Sequence, residues 1–148
     1  MIKRIYRFIR HNEYKKMTIE AYLLSAFFRY QMIHENTKKL YVKWGIAGKE
    51  APQEITFEQY KEAQRISYVV NRVCDRTKWD SKCLVRALTA QRLLAVKGIE
   101  STLYLGCKED EKHTMIAHAW IRCGRLFVTG GDGMADGYAI VEKFKARI

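Results

Sequence analysis

The hydrophobic period of the chain changes at Gly98, and that change limits the fold more than any other feature. Before it, apolar residues recur three and four positions apart. After it they gather in short runs, "STLYLG", "AHAWIRC", "RLFVT" and "YAIVEKF", separated by polar or glycine-rich stretches. The first spacing puts an apolar stripe on helices, and the second is that of strands. Helices first and strands last predict an α+β fold, with a helix packed on an antiparallel sheet. Gly124 falls between two of the runs, where a tight hairpin needs a permissive residue.

Residues 1 to about 46 read as helical. "MIKRIYRFIRH" sets Ile2, Ile5, Tyr6 and Ile9 against Lys3, Arg4, Arg7 and Arg10. That stripe is expected to pack on its own domain, an acidic surface being the other partner it would suit. A second helix is predicted from Thr18, as N-cap, towards His34. "GIAGKEAPQE", with the only proline, reads as a loop. Thr56 is the predicted N-cap of the next helix, which carries Tyr60, Ala63, Ile66, Val70 and Val73 at helical spacing. Asp80 or Ser81 is expected to cap a last helix with Leu84, Ala87, Leu88, Leu94 and Ala95 inward, ended by a left-handed Gly98. One domain, 1–148, follows: a helical part over 1–78, then a helix plus sheet over 79–148.

A chain of 148 residues is long enough to bury a core. Cys74, Cys83, Cys107 and Cys123 are too few and too irregular for a disulfide scaffold, and no CxxC pair suggests zinc. Neither a metal nor a cofactor is expected, and a reduced, cytoplasmic setting is the default. "MIKRIYRFIRHNEYKK" lacks the continuous apolar core of a signal peptide. "IEAYLLSAFFRYQMI" is interrupted by Glu20, Arg29 and Gln31 and is too short to span a bilayer. The net charge of +11 favours a polyanionic partner: nucleic acid, an anionic membrane, or an acidic peptide or protein.

Cys83 falls in the first turn of the last helix. Unpaired N–H groups and the positive end of the helix dipole stabilise a thiolate there, as a nucleophile requires. Lys82 and Arg86 add positive charge. His118 is the natural base: in a strand it shares a face with Trp120, and the small Ala117 and Ala119 take the other. A hairpin turning at Cys123 and Gly124 would pair His118 near Thr129, and the first carboxylate beyond is Asp132. Asp132 therefore leads as the group that orients the imidazole, ahead of Asp136 and Glu142. The bland readings are a space-filling thiol, a half-buried strand histidine and a turn-stabilising aspartate. His11, His34 and His113 read as surface residues. The Cys83 N–H and a group from "KWDSK" are candidate oxyanion donors. Trp79 and Trp120 are candidate groove residues for substrate.

The combined stretch "WDSKCLVRALTAQRLLAVKGI", "LYLG" and "AHAWIRCGR", with "VTGG", resembles the transglutaminase-like leader peptidases of lasso-peptide biosynthesis, in their stand-alone form. The resemblance covers about residues 79–144 and, less distinctly, the helical amino-terminal part. It implies a papain-like, transglutaminase-like Cys-His-Asp enzyme, with Cys83 as nucleophile and His118 as base. It implies a precursor peptide as substrate, cut so that the core's amine is freed. A leader-recognition protein would deliver that precursor, and an ATP-dependent lasso cyclase would act next, with complex formation among them an open expectation. Cleavage in the family generally follows a leader whose penultimate residue is threonine. In many relatives the orienting aspartate falls about twelve positions after the histidine, where this chain has Gly130; Asp132 is two positions further on, so either the loop brings Asp132 in or another polar group or a backbone carbonyl does the orienting. Two other readings stand beside this one. One is a basic nucleic-acid-binding module, although no nucleic acid is expected as partner; the other is a thiol-dependent acyl transferase on the same fold.

Overall fold

The computed structural model describes residues 1–148. The helices are α1 (Ile2–His11), α2 (Lys15–His34), α3 (Thr37–Lys43), α4 (Phe57–Cys74) and α5 (Cys83–Val96). The strands are β1 (Ile46–Ala47), β2 (Thr102–Glu109), β3 (Met115–Cys123), β4 (Leu126–Thr129) and β5 (Ala139–Lys145). They form one sheet, in the order β1-β5-β2-β3-β4, with every neighbouring pair antiparallel. The fold is α+β, as the change of period predicts.

Local chemistry accounts for most element ends. Thr56 accepts from the Gln59 N–H, and the Gln59 side chain returns the bond to the Thr56 N–H, so α4 starts on a full capping box. Gly98 is left-handed at φ 70°, and the N–H groups of Gly98 and Ile99 reach back to Ala95 and Leu94 to close α5. Gly124 turns the β3–β4 hairpin at φ 57°. A Cβ there would also sit 2.7 Å from Ile55, so conformation and space both demand glycine.

Helices α4 and α5 cover one face of the sheet, and α2 packs across both of them. Ala21, Ile66, Val70, Ala87, Ala90 and Leu94 meet Leu103, Ala119, Ile121, Cys123 and Phe144 in one core. Each large aliphatic side chain buried there contributes about 1.5–3 kcal/mol relative to its exposed state. The opposite face is covered by loops. Arg122, buried, donates to the carbonyls of Ala51, Pro52 and Gly124 and to the Tyr104 hydroxyl, which clamps the loop after β1 onto the sheet. Gly133 lies on the Trp120 ring, where a Cβ would come within 2.5 Å.

Four expectations are corrected here. Helix α1 buries none of its residues, and Ile2, Ile5, Tyr6 and Ile9 stand exposed, so its apolar stripe does not pack on the domain. Helix α2 begins at Lys15 rather than after Thr18, whose hydroxyl accepts from Asn12 instead. The α5 N-cap is Lys82, not Asp80 or Ser81. The loop "GIAGKEAPQE" includes β1, which exists because the edge of β5 offers backbone partners at Phe144 and Lys145. No helix is long and apolar enough to cross a membrane.

Candidate active site

Cys83 is the first helical residue of α5, half-buried and packed against the edge of the core. The side chains that the sequence offers as caps are engaged elsewhere. Ser81 Oγ lies 2.7 Å from Thr77 Oγ1, and Asp80 pairs with Lys82 at 3.5 Å. Lys82 supplies no side-chain cap, so the first-turn N–H groups of α5 remain free to donate to a thiolate or an oxyanion. Arg86, one turn on, is tied to Asp75 at 2.7 Å and to Asn71. The two local cations are thus each paired, and the free backbone donors are the electrostatic asset of this turn.

The buried thiols differ. Burial raises the Cys74 thiol above its ordinary range. It pushes Cys123 up to about 11, although Arg122 beside it acts in the other direction. Both are held as neutral thiols in the core.

His118 lies on β3 opposite Gly106 of β2, half-buried. Its Nε2 is 2.7 Å from the Gly130 carbonyl oxygen. A carbonyl only accepts, so Nε2 carries the proton and the Nδ1 lone pair is free in the neutral ring. The ring stacks on Trp120, with centroids 5.8 Å apart, and meets Tyr138 at 4.9 Å. Trp120 in turn stacks on Tyr104 at 5.4 Å. The imidazole is therefore wedged between aromatic rings and anchored at one nitrogen.

The structure brings His118 to Gly130 but joins it by hydrogen bond neither to Asp132 nor to Cys83. The Asp132 carboxylate accepts from the N–H groups of Met134 and Ala135 and so stabilises the glycine-rich turn. Glu142 accepts from the Lys143 N–H, and the Asp136 carbonyl holds Lys108. The orienting place that the sequence assigns first to Asp132 is occupied by the Gly130 carbonyl, at the position twelve residues after the histidine. A backbone carbonyl is one of the alternatives the sequence leaves open, but a backbone acceptor carries no residue signature, so the sequence does not say which one. Cys83 belongs to the helical layer, whereas His118 shares its face of β3 with Trp120.

The two tryptophans part company. Trp79 is half-buried, packs on Tyr22 at 4.6 Å and donates its indole N–H to Ser25. Trp120 is only 1% exposed, so it props His118 from within rather than lining an open groove. No group of three or more His, Cys, Asp or Glu side chains is arranged to hold a metal ion.

Compared with known proteins, residues 36–143 match the family model described as the transglutaminase-like superfamily, a span from the start of α3 to within β5. Helices α1 and α2 precede that span. No curated protein and no solved structure matches the chain.

Proposed function

Because the chain belongs to the transglutaminase-like superfamily, whose members are typically cysteine-dependent enzymes, we propose that it is a cysteine peptidase that removes the leader from a ribosomally made lasso-peptide precursor. The observation that carries this reading is Cys83 on the uncapped N-terminus of α5, where the sequence-available caps Asp80 and Ser81 are withheld from the backbone. The resemblance of "WDSKCLVRAL" and "AHAWIRCGR" to the leader peptidases narrows the reading from thiol chemistry to precursor cleavage.

The reaction runs in two halves. His118 Nδ1 takes the proton of the Cys83 thiol, and the sulfur attacks the carbonyl carbon at the leader–core junction. The resulting oxyanion accepts from the free N–H groups of the first α5 turn. The imidazolium returns its proton to the departing amine, which frees the N-terminus of the core. Water, deprotonated by the same nitrogen, then cleaves the thioester and releases the leader as a carboxylate. The first transfer requires sulfur and Nδ1 within hydrogen-bond reach. Cys83 sits with the helical layer while His118 lies on the other face of β3 with Trp120, so His118 or the start of α5 has to move when substrate binds. In this reading a leader-recognition protein delivers the precursor, and an ATP-dependent lasso cyclase uses the freed amine.

The test is mass spectrometry of a lasso precursor incubated with its leader-binding protein and either wild type or Cys83→Ala. A single cut at the junction, made by wild type and absent with Cys83→Ala, is expected. Equal cutting by both removes Cys83 from the mechanism. Hydroxylamine added to the same reaction separates the acyl-transfer reading, which requires the amine in place of water to take most of the acyl group.

A further inference from the structure

A groove of about 710 Å³ lies between α1, the start of α2 and the C-terminal half of α4. Arg4, Arg7, Arg72 and Arg76 line it, and Glu13 is the only carboxylate on its walls. None of these arginines takes part in an ion pair, whereas Arg65, Arg86 and Arg125 elsewhere each have a carboxylate partner. Unneutralised guanidinium groups around one hollow repel one another and attract an anionic ligand, and their planar forks match carboxylates.

We propose that this groove binds a carboxylate-rich stretch of a peptide, and, taking the peptidase reading as given, that the peptide is the substrate. Two observations choose a peptide over nucleic acid. First, three of the groove's rings, Tyr14, Tyr22 and Tyr68, are already engaged. Tyr14 and Tyr68 meet edge to face at 6.3 Å, the Arg72 guanidinium lies 5.7 Å over Tyr68 and bonds its hydroxyl, and Tyr22 packs on Trp79. Single-stranded nucleic acid stacks its bases on aromatic faces, and here Tyr68 holds the Arg72 guanidinium and Tyr22 is taken up by Trp79. Second, the Tyr22–Trp79 contact sets one wall of the groove against the segment that leads directly into Cys83. A peptide with its acidic stretch among the arginines is thereby placed next to the start of α5. Both α1 and α2 precede the family-matched span, so most of the groove is an addition to the common domain.

The experiment measures binding, not cleavage, and uses full-length Cys83→Ala. Fluorescence anisotropy is recorded with a labelled glutamate-rich peptide, its glutamine counterpart and a labelled oligothymidylate. The glutamate peptide is expected to bind at least about tenfold more tightly than the glutamine peptide, and Arg72→Ala with Arg76→Ala is expected to weaken it by about tenfold or more. Arg4→Ala with Arg7→Ala should weaken it similarly, and since α1 buries no residue that loss cannot arise from a collapsed core. Equal affinity for the two peptides overturns the proposal. So does full affinity in both double variants, or tighter binding of the oligothymidylate. Tight glutamate-peptide binding by Cys83→Ala, together with no cleavage of the precursor by wild type, supports the groove and removes the peptidase reading alone.

Discussion

At His118 the position of one proton decides what the ring can do. The 2.7 Å bond to the Gly130 carbonyl requires the proton on Nε2, which leaves Nδ1 basic. Glutamine can offer an N–H to the same carbonyl but has no basic nitrogen. His118→Gln is therefore expected to lower peptide cleavage by about 10²–10⁴-fold, with the melting temperature held. Asp132 has a different task, accepting two N–H groups of its own turn. Asp132→Ala should cost about 1 kcal/mol of stability and leave the pH profile of cleavage in place. Thermal melts beside cleavage rates across pH check both variants together. A collapse of cleavage in Asp132→Ala as deep as in His118→Gln, at unchanged stability, would give the orienting role back to the carboxylate.

At the scale of elements, the start of α4 and the start of α5 solve the same problem in opposite ways. Thr56 and Gln59 satisfy the first N–H groups of α4, whereas Ser81 and Asp80 turn away from those of α5. Lys82→Asn supplies the missing acceptor at the N-cap. It is expected to stabilise the protein by about 1 kcal/mol and to slow iodoacetamide alkylation of Cys83, because the new cap competes with the thiolate for the same donors. Faster alkylation in a more stable variant would show that those donors do not serve the sulfur. This contrast also marks how far the sequence could be read. The ends of α4 and α5 at Thr56 and Gly98 were legible because their signals are local. The uncapped start was not, since it depends on Thr77 capturing Ser81. Strand β1 was invisible at two residues, having no period of its own, and α1 showed its stripe but not what the stripe would touch. Cys83 and His118 stood out as candidates from their settings, and a backbone carbonyl was among the orienting groups the sequence left open, but which carbonyl it would be depends on the fold of the glycine-rich turn.

For the whole molecule the governing quantity is charge. A net +11 repels itself at neutral pH, and the repulsion grows as carboxylates are protonated in acid. The carboxylates lost include some that hold the layers together. Glu62 of α4 meets Arg65 and, at 3.0 Å, Lys97 at the end of α5. Burial alone would raise its carboxyl, but the hydrogen bonds from Lys97 and Arg65 outweigh that and hold it below the ordinary 4.5. At Glu50 on the clamped loop burial likewise raises the carboxyl, and the hydrogen bonds from Tyr104 and Lys143 outweigh it and hold the group below its ordinary range. A carboxyl lowered in the folded state stabilises fully above its unfolded value, and that stability is lost as pH falls through the lowered one. The melting temperature is therefore expected to drop progressively below pH 4.5, more steeply at low ionic strength. Salt screens the diffuse repulsion within about 10 Å at 0.1 M but cannot restore a hydrogen bond from a protonated Glu62. Glu62→Gln should thus lower stability at neutral pH and flatten the acid limb that survives in salt. A melt series in pH at two salt concentrations separates the two contributions. If salt abolishes the acid limb completely in the wild type, repulsion alone drives acid unfolding, and the α4–α5 tie contributes nothing to it.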